Sequence, residues 1–306
     1  MKVAGVIVTY NRKELLLQNI DMQLIQTRKV DKLFIIDNHS TDGTEECVKE
    51  KYINSADLIE YIYLKENTGG AGGFYYGTKI AYEKGYDYIW LMDDDGRPFN
   101  ADTLKKLLEK AEDLCKENKY LFLNSLVTEN GEKLTFGFSM KMDKDKQWDY
   151  IKSLLPDSEV LYGHANPFNG TLLSRALVAD CGYPNKDFFI GRDETDYLRR
   201  AQDLNGLIAT VITSVYHHPF NGKNARDIRI GRFVIPLFHN MDKQYYWTRN
   251  MTYSYKKNHK MRLMANLFLQ AICITFFQND RIKRLKNWTQ AVNDAVCERM
   301  GKRQQK

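Results

Sequence analysis

Apolar and polar positions repeat with two different periods along the first half of the chain. The run KVAGVIVTY is apolar and β-branched, and the KELLLQNIDMQLIQ stretch after it repeats its leucines and isoleucine at helical spacing. A strand and then a helix are predicted. KLFIID predicts a second strand, ended by the turn cluster NHSTDGT, whose Ser and Thr suit an N-cap for a helix over EECVKEKY. LIEYIYL predicts a third strand, GFYYGTKIAYEKG a helix closed by glycine, and DYIWLM a fourth strand. Such alternation implies right-handed crossovers and a mainly parallel sheet with helices on both faces, an α/β, Rossmann-like fold. After the amphipathic helix ADTLKKLLEKAEDLCKEN the pattern loosens. YLFLNSLVT and NGTLLSRALVADCGYP predict further strands with a helix from near Ser174, DETDYLRRAQDLNG a helix and LIATVITSVYHH a strand. From about Ile228 the chain turns aromatic, basic and helical.

Ligands of such open sheets bind beyond the carboxyl ends of the strands. TYNR, DNHSTD, ENTGGAGG and DDDG each follow a predicted strand directly, so four polar or glycine-rich clusters gather along one edge. Asp93, Asp94 and Asp95 are the strongest of these. On an extended segment Asp93 and Asp95 share a face while Asp94 points away. Two oxygens on one face suit Mg2+ or Mn2+, with positions left for water and phosphate. Gly69, Gly70, Gly72 and Gly73 remove side chains where backbone approaches a ligand closely, although their spacing matches neither GxGxxG nor a P-loop. Asp193 and Glu194 open a helix, where acids serve equally as caps or as a general base at the sheet edge. His217 and His218 end a strand, either as a plain polar pair or as the completion of a metal shell.

Composition removes some classes. With 43% hydrophobic and 27% charged residues the profile is that of an ordinary soluble protein, and 306 residues suffice for a large core with an appendage. The five cysteines include no CxxC pair, which argues against zinc and a disulfide framework and points to a reducing cytoplasm. No secretory signal pattern is expected, because the apolar run from Val3 to Thr9 is too short. The net charge of +6 divides unevenly: residues 256–306 carry twelve Lys or Arg against three acids, leaving −3 on the first 255. Basic character confined to the tail argues against a nucleic-acid partner.

In their order, VTYNR, DNHSTDGT, NTGGAGGF, DDDG, DETDY and the His after them, these stretches resemble the catalytic domain of family 2 glycosyltransferases, of GT-A type. NTGGAGGF, WLMDDDG and FFIGRDETDY are closest to the galactofuranosyltransferase branch. The resemblance implies a catalytic domain over 1–225 that binds a UDP-sugar, and a basic, mainly helical region over 226–306. It places Thr9 and Tyr10 at the uracil with Arg12 nearby, and Asp37 and Asn38 at the base or ribose, with Asp42 supporting their loop. Asn67 and Gly69, Gly70, Gly72 and Gly73 would line ribose and donor sugar, beside Asp93 and Asp94. Asp93 and Asp95 would hold Mn2+ or Mg2+ on the diphosphate, with His217 a further ligand. Glu194 stands at the family's base position, where an aspartate is usual, so Asp193 stays an alternative. Gly191 and Arg192 replace a tryptophan common near this pair, which leaves acceptor selection open to differ. The implied reaction is inverting transfer of a sugar, galactofuranose by the motifs, to a hydroxyl of a lipid-linked surface glycan.

Two alternatives stay open, a dTDP-rhamnose enzyme of the same fold and a non-catalytic nucleotide-binding partner in a polysaccharide assembly. Trp247 and Arg249, in YYWTRN, are placed at the mouth of the site by the same resemblance. Residues 261–277 are apolar but interrupted by Arg262, Asn266, Gln270 and Thr275, so no spanning helix is predicted. The stretch reads equally as a core helix or as one lying on an anionic inner leaflet.

Overall fold

The computed structural model describes residues 1–155, 157–220, 225–231, 233–256 and 259–303. The first half alternates as its periodicity predicts: β1 Val3–Thr9, α1 Lys13–Leu24, β2 Lys32–Asp37, α2 Thr44–Lys51, β3 Ile59–Tyr63, α3 Gly69–Glu83 and β4 Tyr88–Asp93. A short β5 Arg97–Pro98 precedes α4 Thr103–Leu114 and β6 Leu121–Glu129. Then come β7 Lys133–Leu134, α5 Lys144–Leu154, β8 Val160–Tyr162, β9 Asn169–Ser174, α6 Arg175–Cys181, α7 Asp193–Asp203 and β10 Leu207–His217. The remainder is β11 Ala225–Ile230, β12 Phe233–Phe238, α8 Met241–Tyr255, α9 Lys260–Phe277 and α10 Arg281–Val296.

The main sheet runs β3-β2-β1-β4-β9-β6-β10-β5. The pairs β1–β2, β1–β4, β2–β3 and β6–β10 are parallel, whereas β9 is antiparallel to both β4 and β6. Strand side chains alternate between faces, and the core follows that alternation. On β4, Tyr88, Trp90 and Met92 pack with Leu16, Ile20 and Leu104 on one side. Ile89 and Leu91 pack with Phe74, Leu177 and Tyr197 on the other. Both faces are therefore covered.

Three details differ from the sequence reading. The glycine stretch is not a loop ahead of a helix; α3 begins at Gly69, four residues earlier than predicted. A Cβ at Gly73 would lie 2.3 Å from Val8 Cγ1, and one at Gly77 2.3 Å from Val6 Cγ1. These glycines let α3 press against β1. The cap of α2 is Gly43 in the left-handed region (φ 78°), not Ser or Thr. A β-hairpin, β11–β12, stands where the tail was predicted to turn helical at once.

Candidate active site

The carboxyl ends of β1 and β4 converge on a cleft of about 800 Å³. Thr9 Oγ1 donates to Asp94 Oδ2 at 2.9 Å, and the Tyr10 amide donates to the same oxygen at 3.4 Å. Arg12 bridges two of the acids, donating to Asp94 Oδ1 at 3.1 Å and to Asp95 Oδ2 at 2.8 Å. Burial pushes the Asp94 carboxyl up to about 6, with Arg12 and Thr9 opposing. Burial also works against ionisation of Asp95, but His218 and Arg12 outweigh it and hold that carboxyl below its usual range. Asp93 faces the cleft and is pushed well above the usual range, by burial first and then by repulsion from Asp95 and Asp94. Among the described residues Asp93 has its backbone carbonyl bonded by Asn19, while no hydrogen bond reaches its carboxylate.

The histidine beside these acids is His218, not His217. Adjacent strand residues point to opposite sides. His217 turns away, and its Nδ1 accepts from the Asn130 amide at 3.2 Å. His218 lines the cleft with Nε2 3.2 Å from Asp95 Oδ1. Its Nδ1 lies 2.8 Å from the Pro219 carbonyl, which can only accept, so Nδ1 carries the proton. His218 Nε2 and Asp95 Oδ1 thus face each other across the cleft. Two donors on one ion at about 2.1–2.2 Å and right angles stand about 3 Å apart, so the Asp95–His218 pair fits a divalent ion. Among the described residues no group of three or more His, Cys, Asp or Glu side chains forms a metal cluster.

Other predicted residues divide between wall and support. Asn38, Asn67, Gly69 and Gly70 line the cleft. Asn67 Oδ1 accepts from the Gly69 amide at 2.8 Å, and Asn38 Nδ2 donates to the Gly69 carbonyl at 3.0 Å. Gly72 and Gly73 do not line it, being packed against Thr68 and Val8. Asp37 is fully buried and off the cleft, because its carboxylate is committed to the Ser40 amide and the Tyr61 hydroxyl. Asp42 holds the Thr44 hydroxyl and the Lys13 amide.

Asp193 and Glu194 open α7 at the opposite wall. Asp193 is buried and hydrogen-bonded to Glu194; burial first, then the Glu194 charge, push its carboxyl well above the usual range. The loop before them holds Phe189 and Arg192 in the left-handed region, at φ 63° and 67°. Such conformations persist only where the surroundings fix them, and α8 supplies the fixing. Asn250 Nδ2 donates to the carbonyls of Phe188, Ile190 and Gly191 at 3.0, 3.2 and 2.8 Å. Arg249 reaches the carbonyls of Phe188 at 3.0 Å and Gly301 at 2.7 Å.

Arg249 is only 1% exposed and therefore does not face the mouth, contrary to the sequence reading. Trp247 does not line the cleft either; its ring stacks under the Arg192 guanidinium at 5.1 Å. Arg249→Ala is expected to destabilise the protein by about 2–4 kcal/mol, because buried carbonyls lose donors worth about 1 kcal/mol or more each. A urea titration followed by tryptophan fluorescence measures it, and an unchanged midpoint would contradict the clasp.

One wall escaped the sequence reading. Asn166, Pro167, Phe168 and Asn169 line the cleft, and Asn166 Nδ2 and Asn169 Oδ1 are buried without partners among the described residues. Because β9 runs antiparallel to β4, its amino-terminal end reaches the carboxyl edge of its neighbours. A search confined to residues that follow strands misses it. The available signal was the turn-rich run ANPFNG.

An α/β sheet with acids and a helix start gathered at its carboxyl edge is the arrangement of a ligand-binding α/β enzyme. The family described as Glycosyl transferase family 2 matches residues 6–134. The chain is 30% identical over 257 residues to galactofuranosyltransferase GlfT1 of Mycolicibacterium smegmatis, covering 82% of each protein. It is 29% identical over 274 residues to GlfT1 of Mycobacterium tuberculosis, covering 88% of this chain and 86% of that one. The chain belongs to glycosyl transferase family 2 and is a glycosyltransferase. Solved structures agree on the fold. GalNAc-T7 with UDP, GalNAc and Mn2+ matches 97% of this chain and 56% of its own at TM-score 0.59 and 12% identity. S. aureus TarS 1-349 matches 98% and 82% at TM-score 0.56 and 16% identity.

Proposed function

We propose that the chain transfers galactofuranose from UDP-galactofuranose, with inversion, to a hydroxyl of a growing lipid-linked glycan at the inner face of the cell membrane. Residues 1–225 are the catalytic unit in this reading, and 226–306 brace it. The juxtaposition of Asp95 and His218 in the cleft that Asp93 and Asp94 also line carries the reading. Asp95 and His218, with Asp93 lining the same cleft, would hold Mn2+ or Mg2+, which would supply charge neutralisation for a diphosphate leaving group. Thr9, Tyr10, Arg12 and Asn38 would form the nucleotide wall, while Asn67, Gly69 and Gly70 border the donor sugar. Glu194 takes the proton of the acceptor hydroxyl as that oxygen bonds to the anomeric carbon and the carbon–oxygen bond to the diphosphate breaks. Asp193, whose carboxyl is pushed well above the usual range by burial and the Glu194 charge, would hydrogen-bond Glu194 and fix it.

The identity of about 30% over most of the chain to galactofuranosyltransferases supports the donor assignment. Product analysis with UDP-galactofuranose or dTDP-rhamnose, Mn2+ and a polyprenyl-diphosphate-linked acceptor tests it. A galactofuranosylated product is expected. In thermal shift with Mn2+, UDP should raise the melting temperature and dTDP should not, by about 3 kcal/mol of linkage at a hundredfold excess over Kd. A larger shift with dTDP, joined to a rhamnosylated product, would replace the donor assignment.

A further inference from the structure

The tail contains a helix built inside out. On α9 the inward positions include Asn266 and Gln270, both buried. Gln270 Oε1 accepts from Thr248 of α8 at 3.0 Å and from Trp288 of α10 at 3.2 Å. Leu269 and Cys273 pack on Ile235 and Leu237 of the hairpin. The outward stripe is apolar: Met261, Met264, Phe268 and Phe276, continued by Ile282 on α10, are each between 66% and 81% exposed. Apolar residues on a helix normally face the core. Here hydrogen bonding fixes the polar face inward and leaves the apolar stripe without a protein partner among the described residues.

We infer that this stripe is a docking face for an anionic bilayer. Charge selects the occupant. Lys260, Arg262, Arg281, Lys283 and Lys286 are all exposed beside the stripe, and Asp280 is the only acid from residue 243 to 293. A second copy would bring the same basic ring against itself, whereas anionic headgroups attract each Lys or Arg near the surface. α9 has the length and apolar composition of a membrane-crossing helix, and 28% of it is buried against the protein. Its inner face is tied to α8, α10 and the hairpin, so it lies in the plane of the interface with Met and Phe side chains in the acyl boundary. The purpose of such docking, delivery of the site to a lipid-linked acceptor, rests on the proposed function; the chemistry of the face does not.

Flotation of the full chain tests it, with vesicles of phosphatidylcholine plus phosphatidylglycerol against phosphatidylcholine alone. The protein is expected to float with the anionic vesicles and to be released by high salt. Met264→Glu combined with Phe268→Glu should lower partitioning by about a hundredfold. Lys283→Gln combined with Lys286→Gln should lower it by about tenfold or more, and only on anionic vesicles. Both pairs should keep the wild-type melting temperature and rate of donor hydrolysis. Equal flotation of variants and wild type, or no flotation of either, would overturn the inference. So would a solution dimer that the Met264→Glu, Phe268→Glu pair dissociates. Flotation without any donor hydrolysis would instead sink the transferase reading and leave the docking face intact.

Discussion

Glu194→Gln is expected to retain UDP-sugar binding while kcat falls by about 10²–10⁴-fold, the usual worth of general-base assistance. The substitution keeps size and hydrogen bonding but removes the basic oxygen. The buried Asp193 is its control. Asp193→Asn preserves a donor toward Glu194, so it should cost clearly less than the Glu194 change. Single-turnover kinetics with donor affinity measured separately distinguishes the two. An unchanged kcat in Glu194→Gln would move the base to another group.

The second large effect is expected at the metal end. Asp95→Asn and His218→Ala should each weaken Mn2+ binding by at least about 10–100-fold, the range seen even for groups one shell further from a metal. His217→Ala should leave it unchanged, since that ring bonds the Asn130 amide instead. Titration of free Mn2+ by electron paramagnetic resonance, with UDP present, reads affinity independently of turnover. Loss of binding in the His217 variant but not the His218 variant would reverse the assignment.

The two histidines also show how far sequence reaches. A pair at a strand end states that one of them faces the site; which one depends on register, and β10 carries an irregularity between Val211 and Val215 that shifts its phase against β6. Strand alternation was legible because β1, β2 and β4 are buried on both faces and read as continuous apolar runs. The aspartates and Asp193–Glu194 were legible because carboxylates at element ends need a reason. The family resemblance placed Asp37 at the base or ribose, whereas the Tyr61 hydroxyl and the Ser40 amide hold its carboxylate. The glycines were visible, but Gly73 and Gly77 answer to helix–strand packing. Asn166 and Asn169 were hidden by the antiparallel insertion of β9, a tertiary fact that local pattern does not encode.

The clasp from α8 ties the two ends of the molecule into one functional object. The acid pair belongs to the sheet edge in sequence, but the loop leading into it is held by side chains some sixty positions later. A change at Arg249 or Asn250 is therefore expected to disturb the approach to the acid pair from a distance. A tail whose composition marks it as an appendage thus holds the loop that leads into those two carboxylates.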